Sequence, residues 1–276
     1  MDGSKRTANA KVSSQVQELS IDYTDCGSDA QADFRSIPGD KYSSSFKSSN
    51  ATSPMWKVQQ RDETPPYGAE QPDTTVCTLL FDIPNDIGPP VLLYYRLTNF
   101  YQNHRRYVKS LDTNQLKGQA IGNSTISSSS CDPLKLAPNG KAYYPCGLIA
   151  NSLFNDTIPS PVALNSNRGV DGTKTYNMTS KGIAWSSDAQ LYLKTAYTRD
   201  QVEPPPNWQK RYPNGYTAEN DIPDLSQYEE FQVWMRTAGL PTFSKLALRN
   251  DNDVMTAGTY QIEISDCKLA LGVSKV

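Results

Sequence analysis

A chain of 276 residues carries a net charge of −2, with 27 Lys and Arg set against 29 Asp and Glu. That leaves no cationic excess to neutralise a phosphate backbone, so nucleic acid is excluded as a partner. Aromatics make up 10 % of residues, with 16 Tyr against 7 Phe, a bias toward strands and half-wet faces that points to an extracellular β-rich module.

In chain order, residues 1–20 are polar and read as a disordered tail. The tail lacks the apolar core of a signal peptide, and nowhere does the sequence approach eighteen consecutive apolar residues. Ile21 to Thr75 is rich in Ser, Asp, Gly and Pro and reads as extended connecting chain, with Met55 and Trp56 as its buried points. Two strands follow. Thr75 to Ile83 (TVCTLLFDI) is rich in β-formers and closed by a Pro-Asn-Asp turn cluster, and Val91 to Thr98 (VLLYYRLT) is apolar enough to expect burial on both faces. The next segment fits a helical stripe through Leu97, Phe100, Tyr101, His104 and Val108, yet its Tyr content favours a strand running into a turn.

Lys181 to Tyr197 is expected to pack around Trp185, with Ser186-Ser187-Asp188 as a break or helix start. Glu203 to Tyr216 holds three prolines that impose an extended run, then a Pro213-Asn214-Gly215 turn. One good helix is expected next. Asp224 or Ser226 caps it, Ser226 and Glu229 form a capping box, and Tyr228, Phe231, Trp234 and Met235 share a face before Gly239 and Pro241. Phe243 to Leu248 and Thr259 to Ile264 alternate as strands. The fold class is mainly β: an antiparallel, sandwich-like ectodomain over residues 21–264 with long loops and one or two short helices, followed by a tail at 265–276.

Cys26, Cys77, Cys131, Cys146 and Cys267 form no C-x-x-C pair, which disfavours zinc and thioredoxin-like chemistry and favours disulfides. The least entangled scheme joins Cys26 to Cys77 and Cys131 to Cys146, although four cysteines allow three connectivities. Sequons at Asn50, Asn123, Asn155 and Asn177 indicate glycosylated surface loops of a secretory-pathway protein. Of these Asn123 is the most loop-like, since GNSTISSSSC offers nothing to bury. The lumenal marks sit beside no visible targeting signal, so the expectation is a lumenal domain whose membrane segments lie outside this sequence.

Chemistry is thin. His104 is the sole histidine, no serine sits in a G-x-S-x-G elbow, and no phosphate-binding loop, dinucleotide fingerprint or calcium loop is present, so no catalytic residue, cofactor or metal is assigned. Asp82, Asp156, Asp188, Glu229, Glu230 and Glu263 leave a paired-carboxylate glycosidase as an alternative. Arg105 and Arg106 are candidates for a phosphate-bearing headgroup or an acidic partner loop, and Trp208 for partner docking. The plainer readings are a solvated arginine pair and an indole folded back over its own prolines. A free secreted recognition domain is the other alternative.

Four segments carry a resemblance: Asn99–Ser110 (NFYQNHRRYVKS), Tyr143–Thr157 (YYPCGLIANSLFNDT), Pro204–Tyr216 (PPPNWQKRYPNGY) and Glu229–Arg236 (EEFQVWMR). In this order they are similar to the lumenal domain of the ligand-effect modulator and cell-division-cycle-fifty family, the β-subunits of type IV P-type ATPase phospholipid flippases. The likeness runs from Tyr23 to Ile264. It implies a non-catalytic, glycosylated, disulfide-bonded ectodomain between two membrane helices, in a membrane of the secretory pathway, with a flippase α-subunit as partner. It implies help with the folding, endoplasmic-reticulum exit and transport cycle of that subunit, which hydrolyses ATP. The same resemblance implies the Cys26–Cys77 and Cys131–Cys146 pairings. After Ile264 the sequence departs from the family pattern, and the tail containing Cys267 reads as a truncation that would weaken flippase association.

Overall fold

In the computed structural model of the chain, residues 16–48, 50, 52–65, 67–166, 172–265 and 274–275 are described. Most of the expected N-terminal tail, and Cys267 with most of the C-terminal one, lie outside them. The strands in chain order are β1 (Glu18–Ile21), β2 (Arg35–Ser36), β3 (Tyr42–Ser45), β4 (Met55–Glu63), β5 (Gln71–Ile83), β6 (Val91–Thr98), β7 (Ala142–Tyr143), β8 (Val162–Ser166), β9 (Lys174–Thr175), β10 (Val202–Glu203), β11 (Phe243–Asn250), β12 (Gly258–Ser265) and β13 (Ser274–Lys275). A six-stranded sheet runs β2-β4-β5-β12-β8-β9, a three-stranded one runs β11-β6-β13, and β1 pairs with β3; every pairing in these three sheets is antiparallel. The mainly antiparallel β architecture with long loops is as expected. Short helices are more numerous, because a single turn of four or five residues has no periodicity to read.

Two-sided burial falls on a different strand from the one expected. β5 lies between β4 and β12, and its run from Thr74 to Leu79 is buried on both faces. β6 alternates instead: Tyr95 and Leu97 face the core, while Leu92 and Tyr94 stand 40 % and 50 % exposed on the other side. Hydrophobicity alone cannot tell a strand covered on both faces from one that shows half its apolar side chains to solvent. Leu93 joins the small sheet to the cluster of Trp56, Cys77, Leu79, Ile262 and Ile264 on the large one.

The connecting region is more ordered than its composition suggests. β1 begins at Glu18, inside the segment read as tail, and Met55–Glu63 forms a nine-residue strand whose Trp56 is 2 % exposed. Arg105–Lys109, expected as strand and turn, is a short helix whose N-cap is His104, its Nδ1 accepting from the Arg106 amide at 3.3 Å. Trp185, expected in the core, is 63 % exposed and lies under the Arg236 guanidinium at 3.9 Å, although Ser186 does start a helix.

The helix at Glu229–Met235 buries Phe231, Trp234 and Met235 as expected, but its start differs. Ser226 Oγ donates to Asp224 at 2.6 Å, and Glu229 accepts from the Ile183 and Ala184 amides at 3.0 and 3.1 Å, so no capping box forms. Ser226 turns back to its neighbour Asp224, and Glu229 is taken by a partner that the local sequence does not contain.

The other end of this helix is closed by Lys245 of β11, 8 % exposed, whose Nζ donates to the carbonyls of Val233 at 2.9 Å, Trp234 at 3.5 Å and Arg236. Burial, and then the Arg236 guanidinium, push its ammonium down to about 8, with Asp188 opposing. A folded value below the unfolded one of 10.5 means that the unfolded chain holds the proton across that interval. Wild-type stability is therefore expected to rise relative to Lys245→Met between these pH values, by roughly 3 kcal/mol at the limit. Urea unfolding of both proteins at pH 8 and pH 10 checks the sign; a relative fall would show that the carbonyls hold the charge better than water does.

Candidate functional site

The four resembling segments lie far apart in sequence and converge in one place. At the centre is the four-residue helix Leu148–Asn151, whose Ile149 and Ala150 are fully buried. So short a helix cannot satisfy its own carbonyls, and two indoles complete it. Trp234 Nε1 donates to Ile149 O at 2.8 Å, and Trp208 Nε1 donates to Ala150 O at 2.9 Å. From the first segment, the Tyr107 hydroxyl shares a hydrogen bond with Ser152 at 2.8 Å. Phe100, Trp208, Tyr212, Tyr216, Tyr228 and Phe231 pack around them in edge-on, tilted and stacked contacts.

Buried amides and hydroxyls fix the register of this knot. Gln115 donates to Tyr143 O at 2.9 Å and accepts from the Cys146 amide at 2.8 Å; Ser110 Oγ accepts from the Leu148 amide at 2.8 Å; Gln102 accepts from the Ala238 amide at 2.9 Å. Each is 0 % exposed, so each bond replaces water that the backbone could not otherwise reach. Tyr216 donates to Tyr144 O at 2.6 Å, and burial raises the phenols of Tyr95, Tyr144 and Tyr216 well above the ordinary range, keeping them neutral. Sequence reading missed Gln102, Ser110 and Gln115, because a polar residue gives no local sign that it will be enclosed.

Both cysteine pairs are bonded as the least entangled scheme has them. Cys26 and Cys77 lie 6.1 Å apart at Cα and anchor an N-terminal turn to β5; Cys131 and Cys146, 5.6 Å apart, tie a loop to the entrance of the central helix. Asn50, Asn123, Asn155 and Asn177 are all exposed. Asn123 is not in a bare loop, however. It begins the helix Asn123–Ser127, whose Ile126 is fully buried, and its side-chain amide donates to Gly140 O at 2.9 Å.

Arg105 and Arg106 project from the knot into solvent, with Arg106 only loosely paired to Asp132 at 3.8 Å. Trp208 does not join them. It is 5 % exposed and fully engaged in the core, which corrects its assignment as a docking residue: the indole folds back because Ala150 O needs a donor. His104 serves as a helix cap.

Of the carboxylates weighed for glycoside hydrolysis, most are held within the fold. Asp82 accepts from Thr259 at 2.7 Å and also from Thr52, Asp156 from Tyr23 at 2.9 Å, Asp188 from Arg236 at 2.8 Å, Glu229 from two amides and Glu263 from Arg61 at 2.7 Å. Among the described residues no group of carboxylates, His and Cys is arranged to hold a metal, and no helix is long and apolar enough to cross a membrane.

Residues 10–267 match the LEM3 (ligand-effect modulator 3) family / CDC50 family. The chain is 46 % identical over 254 residues to the phospholipid-transporting ATPase accessory subunit CDC50 of Chaetomium thermophilum, covering 90 % of this chain and 62 % of that protein. It is 45 % identical over 251 residues to the phospholipid-transporting ATPase accessory subunit CRF1 of Saccharomyces cerevisiae, covering 90 % and 60 %. Cell cycle control protein 50A of Bos taurus is 38 % identical over 205 residues, covering 69 % and 54 %. The chain thus spans about three fifths of the length of the two fungal relatives. The ordered convergence of the four segments on one buried helix and the match along nearly the whole sequence lead to one conclusion: this chain belongs to the LEM3/CDC50 family.

Proposed function

We propose that the chain is the lumenal ectodomain of a non-catalytic β-subunit that associates with a type IV P-type ATPase and supports its folding, exit from the endoplasmic reticulum and phospholipid transport cycle. The observation that carries this reading is the 46 % identity, over 90 % of the chain, to a relative named as an accessory subunit of a phospholipid-transporting ATPase. Of the carboxylates weighed for a hydrolase, Asp82, Asp188, Glu229 and Glu263 are tied into the fold, and of the two that share a cleft, Asp156 is held by the Tyr23 hydroxyl at 2.9 Å. The exposed asparagines of the four sequons would carry glycans on the lumenal or extracellular side of a secretory-pathway membrane.

Arg105 and Arg106 are the side chains on the knot best suited to meet an acidic loop of the ATPase or a lipid phosphate, because guanidinium forks pair bidentately with either. Their partners within the fold are weak, so their removal costs the fold little. When the tagged full-length gene product is co-expressed with a type IV P-type ATPase and purified in detergent, the ATPase is expected to co-purify. Arg105→Ala with Arg106→Ala is expected to cut the recovered ATPase roughly tenfold, as loss of one or two charge-assisted contacts implies, and to leave the urea midpoint unchanged. A fallen midpoint would assign the pair to the fold. Well-expressed wild type that recovers no ATPase would overturn the reading.

A further inference from the structure

Beside the knot, where β6 and β11 meet the Leu153–Ile158 segment, lies a cleft of about 100 Å³. Four aromatic rings line it in two close pairs. Tyr95 lies on Phe154 with centroids 3.8 Å apart, and Tyr67 leans on Tyr228 at 4.1 Å. The same walls carry two carboxylates, Asp156 and Glu230, and one guanidinium, Arg211.

The charges are not equivalent. Arg211 is engaged at the rim, donating to the Tyr228 hydroxyl at 3.2 Å and to Asn155 O at 2.8 Å. Asp156 is 8 % exposed and oriented by the Tyr23 hydroxyl, while Glu230 stands on the first turn of the Glu229–Met235 helix. Burial, and then the Glu230 carboxylate, push the Tyr67 phenol up to about 12, so the ring stays neutral beside that negative field. Two carboxylates against one guanidinium leave the walls net negative, which disfavours an anion. A neutral apolar guest would strip water from them and return nothing. A cation gains from both the carboxylates and the π-faces. The volume, well under the roughly 300 Å³ at which drug-sized sites begin, admits a headgroup rather than a sugar or a nucleotide.

We propose that this cleft binds the ammonium end of a small organic cation of the trimethylammonium class, with Tyr67, Tyr95, Phe154 and Tyr228 as the cage and Glu230 with Asp156 as the counter-charge. The site stands on its own chemistry and does not require the ATPase. The cation is either free, as in choline, or the headgroup of a lipid.

Saturation-transfer NMR and calorimetry with choline, and with its uncharged isostere 3,3-dimethylbutan-1-ol, test the class. Choline is expected to bind at least about tenfold more tightly, as a desolvated cation–π contact implies. Glu230→Gln and Tyr67→Leu should each weaken choline several-fold while the urea midpoint holds; if Tyr67→Leu does not fold, Glu230→Gln decides. Flotation with phosphatidylcholine vesicles that free choline blocks identifies a lipid headgroup, and choline binding without flotation identifies a free cation. Equal affinity for the uncharged alcohol, or choline binding unchanged in Glu230→Gln, would overturn the proposal.

Discussion

Gly147→Ala is expected to destabilise the protein by about 4 kcal/mol or more, a loss comparable with the entire stability of many domains. Gly147 sits between Cys146 and the central helix with φ 98° and ψ 171°, a conformation open only to glycine. A Cβ built there would stand 2.6 Å from the carbonyl carbon of Ser110, closer still to its oxygen, and 3.1 Å from the Leu111 amide. These are backbone atoms, so no side chain can swing away. The Ser110 hydroxyl holds the Leu148 amide, and moving Ser110 would undo the bond that starts the helix. Gly140→Ala is the control. It also has positive φ, at 83°, but meets nothing within 4 Å, so it isolates the cost of the conformation at roughly 1–3 kcal/mol. Urea titration of both variants separates the terms, and an equal effect at the two positions would show that the close approach to Ser110 has no weight.

Removing the disulfides is the second large effect. The Cys26–Cys77 bridge closes 51 residues and the Cys131–Cys146 bridge closes 15, so the unfolded chain regains more freedom from losing the first. Replacing Cys26 and Cys77 by alanine is expected to cost about 4 kcal/mol, and the same change at Cys131 and Cys146 about 3. Site matters as well as length. Cys26 and Cys77 are both fully buried beside Trp56 and Ile264, at the junction of the N-terminal segment with the central strand of the large sheet. Limited proteolysis should therefore release the segment before β4 in the first variant and cut near Asp132 in the second. Unchanged unfolding midpoints under non-reducing conditions would show that packing alone holds these segments.

Local chemistry made much of this molecule legible. Val91–Thr98 reads as a strand because β-formers fill it, and Glu229–Met235 as a helix because Phe231, Trp234 and Met235 recur at helical spacing. Turn residues after Ile83 and around Asn252 mark where strands stop. Failures of that reading share a cause. Trp185 and Trp208 are the same side chain in similar polar surroundings, yet one is stacked in solvent under Arg236 and the other is locked onto Ala150 O. The capping box was sound locally and lost because the Ile183 and Ala184 amides, more than forty residues away, claimed Glu229.

By itself the sequence determined the mainly β architecture, the segments that mark the family and the cysteines available for bridging, because each depends on residue type and on spacing within a few positions. Tertiary structure decided that those segments wrap one four-residue helix, that β5 rather than β6 is buried on both sides, and that Tyr67, Phe154, Asp156 and Glu230 line one cleft. Those outcomes depend on which distant backbone carbonyl lacks a donor and which strand is covered on both faces, and only the folded chain brings such groups together.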